Sequence, residues 1–240
     1  MNINRAAVNR SKASPFESFL EGWLVRQEHH LDELITAASS SGYSDEESKE
    51  LVSRVLRHYE EYYDEKSRDT RHDVFRHLSP PWCTPLECAF LWIGGFRPGV
   101  MFQLVAKSVD DLSSLQAQRL DSLRIGTGKE EKKLADALAR IQETAASPSI
   151  VERIRRISCW PYGDIIVGPQ MGTDTESLRS AMETLVANAD RLRTKTAAVV
   201  VDVLTPKQSM KFLDASAESQ RVLWSWGSNG DLEGSSSQAK

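Results

Sequence analysis

Helix-start signals recur along this sequence and constrain its fold more strongly than any other feature. Each has Ser or Thr followed three residues later by Glu or Gln, a capping box in which two side chains bind free backbone N–H groups at the start of a helix. In three of the signals Pro occupies the first helical position, where its fixed φ is favourable. The six signals are Ser14–Glu17, Ser44–Glu47, Thr84–Glu87, Ser113–Gln116, Thr173–Glu176 and Thr205–Gln208.

Apolar residues after these signals recur every three or four positions, which places them on one face of a helix. The first helix is predicted from Ser14 to about Ser40, and no convincing strand alternation is present elsewhere. The predicted fold class is therefore all-α, a single multi-helix bundle domain. It is expected to span residues 14–227, between a disordered N-terminal segment, 1–13, and a disordered Ser/Gly-rich tail, 228–240.

Glycines and prolines punctuate the second half of the chain. Gly126 and Gly128 are expected to break or kink the helix that begins after Ser113. Five such residues between Cys159 and Asp174 predict a loop. The helices on both sides of this loop are apolar enough to share a core, so one domain is predicted rather than two.

The stretch from residue 78 to 102 is the most apolar and most aromatic part of the sequence. Pro80 and Pro81 stop the helix before them, because Pro lacks a backbone donor and clashes with the preceding turn. The segment from Pro85 to Ile93 is apolar nearly all round, which predicts a buried helix. Two glycines end it and a second apolar segment follows. We therefore expect a central apolar helical hairpin, with the other helices packed around it.

Composition excludes several classes of protein. The formal net charge of -4 provides no field to attract nucleic acid, so direct nucleic-acid binding is not expected. Three scattered cysteines are too few for a disulfide framework and favour a reduced intracellular compartment. The first residues are polar and basic, and no apolar run reaches the roughly 20 residues that span a bilayer, so neither a signal peptide nor a membrane span is expected.

No arrangement of residues indicates catalysis or metal binding. The glycine pairs lack the preceding strand and the following Lys-Ser/Thr of a phosphate-binding loop. His72 and His77 are five positions apart, off a single helical face, and make a poor metal pair. A reactive role for Cys83, at a helix N-terminus, remains an alternative to a structural one. We therefore expect a non-enzymatic binding or regulatory module without catalytic residues or a metal site.

The central stretch closely resembles the signature of the DOG (DELAY OF GERMINATION) domain, which also forms the C-terminal part of plant TGA-type bZIP transcription factors. The segments 19–27, 58–66 and 192–213 resemble the same family, so the resemblance extends over about residues 16–227. It implies a stand-alone DOG-like protein, since no bZIP region accompanies the domain. The signature positions, whose role the resemblance implies to be mainly structural, are Trp82, Thr84, Pro85, Glu87, Trp92, Gly94, Gly95, Arg97 and Pro98.

The resemblance implies a regulatory interaction module of seed dormancy, germination and abscisic-acid signalling that binds clade A type 2C protein phosphatases. In that branch of the family the phosphatase contact lies on the first helix. A core role for Phe19 and Leu20 remains an alternative, and Gly22 stands where the family has an aromatic residue. The matching positions for partner binding are Glu17, Ser18, Phe19, Leu20, Glu21 and Trp23.

The dormancy branch is also associated with haem, held by two histidines four positions apart in the last helix. Gln220 and Trp224 stand at those positions here, and neither ligates haem iron as imidazole does, so no haem or other cofactor is expected. The second hypothesis is a transcription-associated, TGA-like module. Such a module would dimerise with itself or with TGA bZIP factors, bind DNA through those partners, or hold a small apolar or haem ligand. Both hypotheses imply a protein of the nucleus and cytoplasm.

Overall fold

The computed structural model describes residues 14–39, 43–146 and 169–236, which form eight helices and no strand. The predicted all-α class is therefore confirmed. The predicted disorder of residues 1–13, and the loop predicted from Cys159 as far as residue 168, lie outside the described residues. The helices are α1 (Pro15–Ser39), α2 (Asp45–Thr70), α3 (Val74–Leu78), α4 (Pro85–Ala89), α5 (Val100–Ser108), α6 (Ser114–Ala145), α7 (Pro169–Val203) and α8 (Pro206–Ser236).

Capping boxes form at five of the six predicted helix starts. At α2, for example, the Ser44 hydroxyl accepts from the backbone N–H of Glu47, whose carboxylate accepts from the backbone N–H of Ser44. The prediction at Thr173–Glu176 is wrong, because α7 begins at Pro169 and Thr173 lies inside it. Pro is itself favourable in the first helical turn. The other four boxes are Ser14–Glu17, Thr84–Glu87, Ser113–Gln116 and Thr205–Gln208.

The predicted central hairpin is wrong in its first half. The helix α4 has only five residues, none of them buried, and Leu86 and Phe90 are 38% and 58% exposed. The chain then enters a tight turn in which Ile93 and Gly94 have positive φ angles of 47° and 69°. Positive φ cannot continue a right-handed helix, so apolar composition did not predict the backbone path here. The second half is as predicted, since α5 forms and buries part of its apolar face.

The helix α6 runs without interruption through Gly126 and Gly128, so the predicted break is also wrong. Thr127, between the two glycines, is buried, and its hydroxyl lies 3.4 Å from that of Thr196 on α7. Packing of α6 along α7 therefore outweighs the weak helix propensity of Gly. The helix α8 also continues past Gly227, the predicted end of the domain, and ends at Ser236.

Gly126→Ala and Gly128→Ala are each expected to stabilise the fold by about 0.5–1 kcal/mol, because Gly loses more backbone entropy than Ala in a helix. A Cβ added at either position meets no atom within 4 Å. Thermal or urea unfolding of the two variants measures the gain. Gly95→Ala is the matched control and is expected to lower stability, because its Cβ would lie 2.9 Å from Cζ of Arg193. Equal effects at all three glycines would contradict the argument.

Among the residues that the structure describes, three hydrophobic clusters hold the helices together. The largest joins α1, α2, α5, α7 and α8, with Leu120 contributed by α6. A second joins Val74 and Ile93 to the apolar stripe of α7, and the third packs the start of α1 on the tyrosines of α2. None of the described helices is long and apolar enough to cross a membrane. The second cluster matters most for the site, because it places the turn after α4 directly against α7.

Candidate functional site

One buried arginine of α7 binds the turn at residues 92–96. The Arg193 side chain is 1% exposed, and its Nε donates to the carbonyl oxygen of Phe96 at 2.7 Å. Its Nη2 donates to the carbonyl oxygens of Ile93, at 3.0 Å, and Trp92. The guanidinium carbon also lies 5.5 Å from the ring centroid of Trp92, within cation–π range. Arg193 therefore holds both the backbone and the aromatic side chains of this turn.

A buried lysine of α2 binds the same turn. Lys66 Nζ donates to the carbonyl oxygen of Gly94 at 2.7 Å and to Oδ1 of Asp190 at 2.8 Å. The same Oδ1 accepts from Arg193 Nη1 at 2.5 Å. Burial is the main cause that lowers the pKa of Lys66 to about 8; Asp190 opposes this shift and the nearby Arg193 adds to it. Two cations thus share one carboxylate, and both also donate to backbone carbonyls of the turn.

The two glycines of the turn are required by conformation and by space. Gly94 adopts φ +69°, and a Cβ there would lie 3.0 Å from the backbone oxygen of His77. A Cβ on Gly95 would lie 2.9 Å from Arg193 Cζ. Both positions are therefore restricted to Gly by the close approach of other chain segments.

A third helix holds the residues that follow the turn. Glu131 of α6 is 4% exposed, and its two carboxylate oxygens accept from Arg97 Nε at 2.8 Å and from the backbone N–H of Gly99 at 2.6 Å. The segment 92–99 is therefore pinned by charged side chains of α2, α6 and α7. Trp82 lies on the other side, with its ring 5.1 Å from that of Phe16 on α1. Each of these contacts is internal to the chain.

The residues predicted on α1 divide into two groups. Leu20 and Trp23 are buried, with Trp23 donating from Nε1 to the carbonyl oxygen of His58 at 2.8 Å, so neither is available for direct contact with a partner. Phe19 is half-buried against the same cluster. Ser18 and Glu21 are exposed. The amphipathic stripe of α1 explains the division, because residues three and four apart share the face that packs on α2.

Glu17 has internal partners on both of its oxygens. One oxygen caps α1 at Ser14, and the other accepts from Arg76 Nη2 at 2.8 Å. At the haem positions suggested by the resemblance, Gln220 is half-buried on α8 and the side chain of Trp224 lies outside the described part. Among the described residues no group of three His, Cys, Asp or Glu side chains has the arrangement of metal ligands.

A shallow cleft of about 310 Å³ lies between α2 and α7, beside the Lys66–Asp190 pair. Its walls carry carboxylates, a tyrosine ring and one guanidinium. The lining residues are Glu60, Tyr63, Asp64, Asp190, Arg191 and Thr194.

The sequence interpretation gave no role to the four charged residues that hold the turn. Lys66 and Arg193 fall within segments that resemble the family, but a charged residue is ordinarily assigned to solvent. The position of Arg193 in the sequence did contain a signal of its burial. Arg193 stands four residues after Ala189 and seven before Val200, on the buried stripe of α7, so a charge interrupts an otherwise apolar face. A charge in that position indicates a buried, paired group.

Comparison with known proteins agrees with this architecture. The family model DOG1, described as seed dormancy control, matches residues 30–107. The chain is 37% identical to Protein ZW2 of Arabidopsis thaliana over 212 residues, covering 87% of this chain and 94% of that protein. It is 34% identical to Protein RESPONSE TO ABA AND SALT 1 of the same plant over 218 residues, covering 85% and 91%. Transcription factor TGA7 is 31% identical over 212 residues, covering 88% of this chain and 55% of TGA7.

The helical fold and these relatives define the class of protein, an all-α regulatory domain shared by DOG-like proteins and TGA transcription factors. Within that class, the chain belongs to the DOG1 family described as seed dormancy control. The resemblance inferred from the signature residues is therefore confirmed.

Proposed function

We propose that this chain is a non-enzymatic interaction module of seed dormancy and abscisic-acid signalling that acts by binding clade A type 2C protein phosphatases. The observation that carries the role in abscisic-acid signalling is the 34% identity to Protein RESPONSE TO ABA AND SALT 1 over 91% of that protein's length. The phosphatase partner is the one that the family resemblance implies. The family description as seed dormancy control supports the same role. The proposed contact is the exposed face of α1.

The exposed face of α1 suits a partner surface. Ser18, Glu21, Gly22 and Val25 are all exposed and stand at positions i, i+3, i+4 and i+7, so they line one side of the helix. Val25 is 69% exposed and supplies an apolar contact among polar neighbours. The opposite face of α1 is anchored in the aromatic cluster. A rigid surface of this kind binds with little ordering cost.

The test is capture of clade A type 2C phosphatases by the purified chain, with circular dichroism on every variant. The wild type is expected to retain the phosphatase, and Glu21→Arg to weaken binding about tenfold or more, because it places an unmatched charge in the interface. Glu143→Arg, an equal charge change on the exposed surface of α6, is the matched control and is expected to bind as the wild type does.

Gly22→Tyr extends the same experiment. It places on α1 the aromatic residue that the family pattern has, at a position where a Cβ comes no closer than 3.8 Å to a neighbouring side chain. Tighter capture is expected from this variant. Absence of phosphatase capture by the wild type would contradict the proposal, and equal binding by Glu21→Arg with unchanged helicity would move the contact away from α1.

The second candidate is a transcription-associated role, favoured by the match of 88% of this chain to TGA7. In this role the domain forms homodimers or associates with TGA bZIP factors, reaches DNA through them, and acts in the nucleus as well as the cytoplasm. Co-elution of the purified chain with a TGA factor, without phosphatase capture, would favour this role. Tight, salt-sensitive gel shift by the chain alone would contradict our expectation that it contacts no DNA directly.

A further inference from the structure

A histidine is buried in the interface between α1 and α2. His58 of α2 is 3% exposed, and its ring stacks on Trp23 of α1 with centroids 4.4 Å apart and planes 5° apart. The ring of His30, also on α1, lies 4.9 Å away. His58 Nε2 is buried and has no hydrogen-bond partner in the described part of the chain. The Nε2 side of the imidazole is thus buried beside aromatic rings, with no acceptor to stabilise a proton on that nitrogen.

The charged groups around His58 are unfavourable to its protonation. Both His30 and Arg26 of α1 act electrostatically against a positive charge on His58. Two carboxylates of α1 and α2 contact these groups instead of His58: Glu33 lies 3.4 Å from His30, and Glu61 lies 3.4 Å from Arg26. No described carboxylate pairs with His58 itself, so a proton on its ring would remain an uncompensated buried charge.

A second buried histidine, His77 of α3, has its ring 4.8 Å from that of Phe16 at the start of α1, and burial lowers its pKa as well. Two further titratable groups of α2 do not pair with His58. On α2, Arg54 pairs with Glu33 at 3.3 Å, and Tyr59, whose pKa burial raises to about 12, stays neutral. The helix α8 packs against both α1 and α2. On α8, Arg221 forms an ion pair with Glu218 at 2.6 Å. Burial raises the pKa of Asp214 on the same helix.

We propose that His58, stacked on Trp23 and facing His30, makes the α1–α2 junction an acid-sensitive joint that opens locally as the pH falls below neutral. The direction of the pH effect follows because proton binding to His58 is linked to opening of the junction. Burial lowers the pKa of His58 from 6.5 to about 4, and separation of the helices returns it to its ordinary value. Protons therefore bind preferentially to the open form, and the closed form loses stability as the pH falls from 6.5 towards 4.

The expected size of the effect is within reach of measurement. Between pH 7.5 and pH 5.5 the open form takes up the proton while the closed form does not, so the opening equilibrium rises about tenfold. Opening disturbs α1, and its consequence for phosphatase binding rests on the function proposed above. The joint itself requires no partner and is tested without one.

Hydrogen–deuterium exchange of the full chain at pH 7.5 and pH 5.5, with exchange times scaled to the intrinsic rate, tests the joint. We expect protection of α1 peptides to fall about tenfold while peptides of α6 keep theirs. His58→Phe keeps the stacked ring, removes the titration of His58 and is expected to reduce the response of the α1 peptides. His29→Phe, at a 74% exposed side chain on α1, is the control that retains it.

Equal loss of protection in α1 and α6 would overturn the proposal, because it would report global unfolding. An undiminished response of the α1 peptides in folded His58→Phe would overturn it as well. If that variant does not fold, an NMR titration of wild-type His58 decides: a midpoint near 4 supports the joint and a midpoint near 6.5 overturns it. None of these results depends on phosphatase capture, so failure of this proposal is distinguishable from failure of the proposed function.

Discussion

Arg193→Met is expected to destabilise the chain by about 3–5 kcal/mol, because removing one member of a buried charged network leaves its partners unpaired. The partners are Asp190 and the backbone carbonyls of Trp92, Ile93 and Phe96. Methionine fills a similar volume but donates no hydrogen bond. The loss is measured as the free energy of unfolding in urea.

Arg191→Met is the matched control for this effect. Arg191 lies two residues away on the same helix, is exposed, and donates to Asn188 at 3.2 Å. Its replacement is expected to change the free energy of unfolding by no more than about 0.5 kcal/mol. Arg193→Lys should fall between the two, since an ammonium lacks the planar fork that reaches several carbonyls at once. A loss below about 1 kcal/mol for Arg193→Met would show that water replaces the guanidinium.

Trp23→Ala is expected to cost about 3–5 kcal/mol, the range for removing a buried aromatic side chain from a core. Trp23 is 2% exposed, its ring lies 5.1 Å from that of Tyr62, and its Nε1 hydrogen bonds to the backbone of His58. Thermal unfolding followed by circular dichroism measures the change. Val25→Ala, at a 69% exposed position on the same helix, is the control and should alter stability by no more than about 0.5 kcal/mol.

This second prediction affects how binding experiments on α1 are interpreted. A Trp23 variant that fails to capture a phosphatase would report loss of the fold, whereas Glu21→Arg changes only an exposed side chain. Unchanged stability of Trp23→Ala would contradict the buried placement and return Trp23 to the set of contact residues. The same reasoning applies to Leu20, which is also buried.

Helix starts were predictable because a capping box is a local device. The residues that bond at Ser44–Glu47 or Thr205–Gln208 are three positions apart, so their geometry is determined within one turn of the chain. The buried stripe of α1 was predictable for the same reason, since Phe16, Leu20 and Trp23 recur at helical spacing. The family followed from the turn signature, and with it the regulatory class.

The predictions of helices were wrong where side chains distant in the sequence determine the backbone conformation. The apolar run after Thr84 has the composition of a buried helix, yet Lys66 and Arg193 bind carbonyl oxygens that a continuing helix would have used itself. Gly126 and Gly128 have weak helix propensity, yet the packing of α6 on α7 keeps the helix intact. Propensity differences of about 1 kcal/mol per residue are smaller than such tertiary terms.

The amino-acid sequence alone determined the helical class, five helix starts and the family, because each depends on residues close together in the chain. The tertiary structure decided what the signature turn does and which α1 residues face solvent. Lys66 and Arg193 are 28 and 97 positions away from the carbonyls of Gly94 and Phe96 that they bind. His58 meets Trp23 across 35 positions. Contacts between residues so far apart in the sequence form only when the helices pack, so local sequence patterns do not predict them.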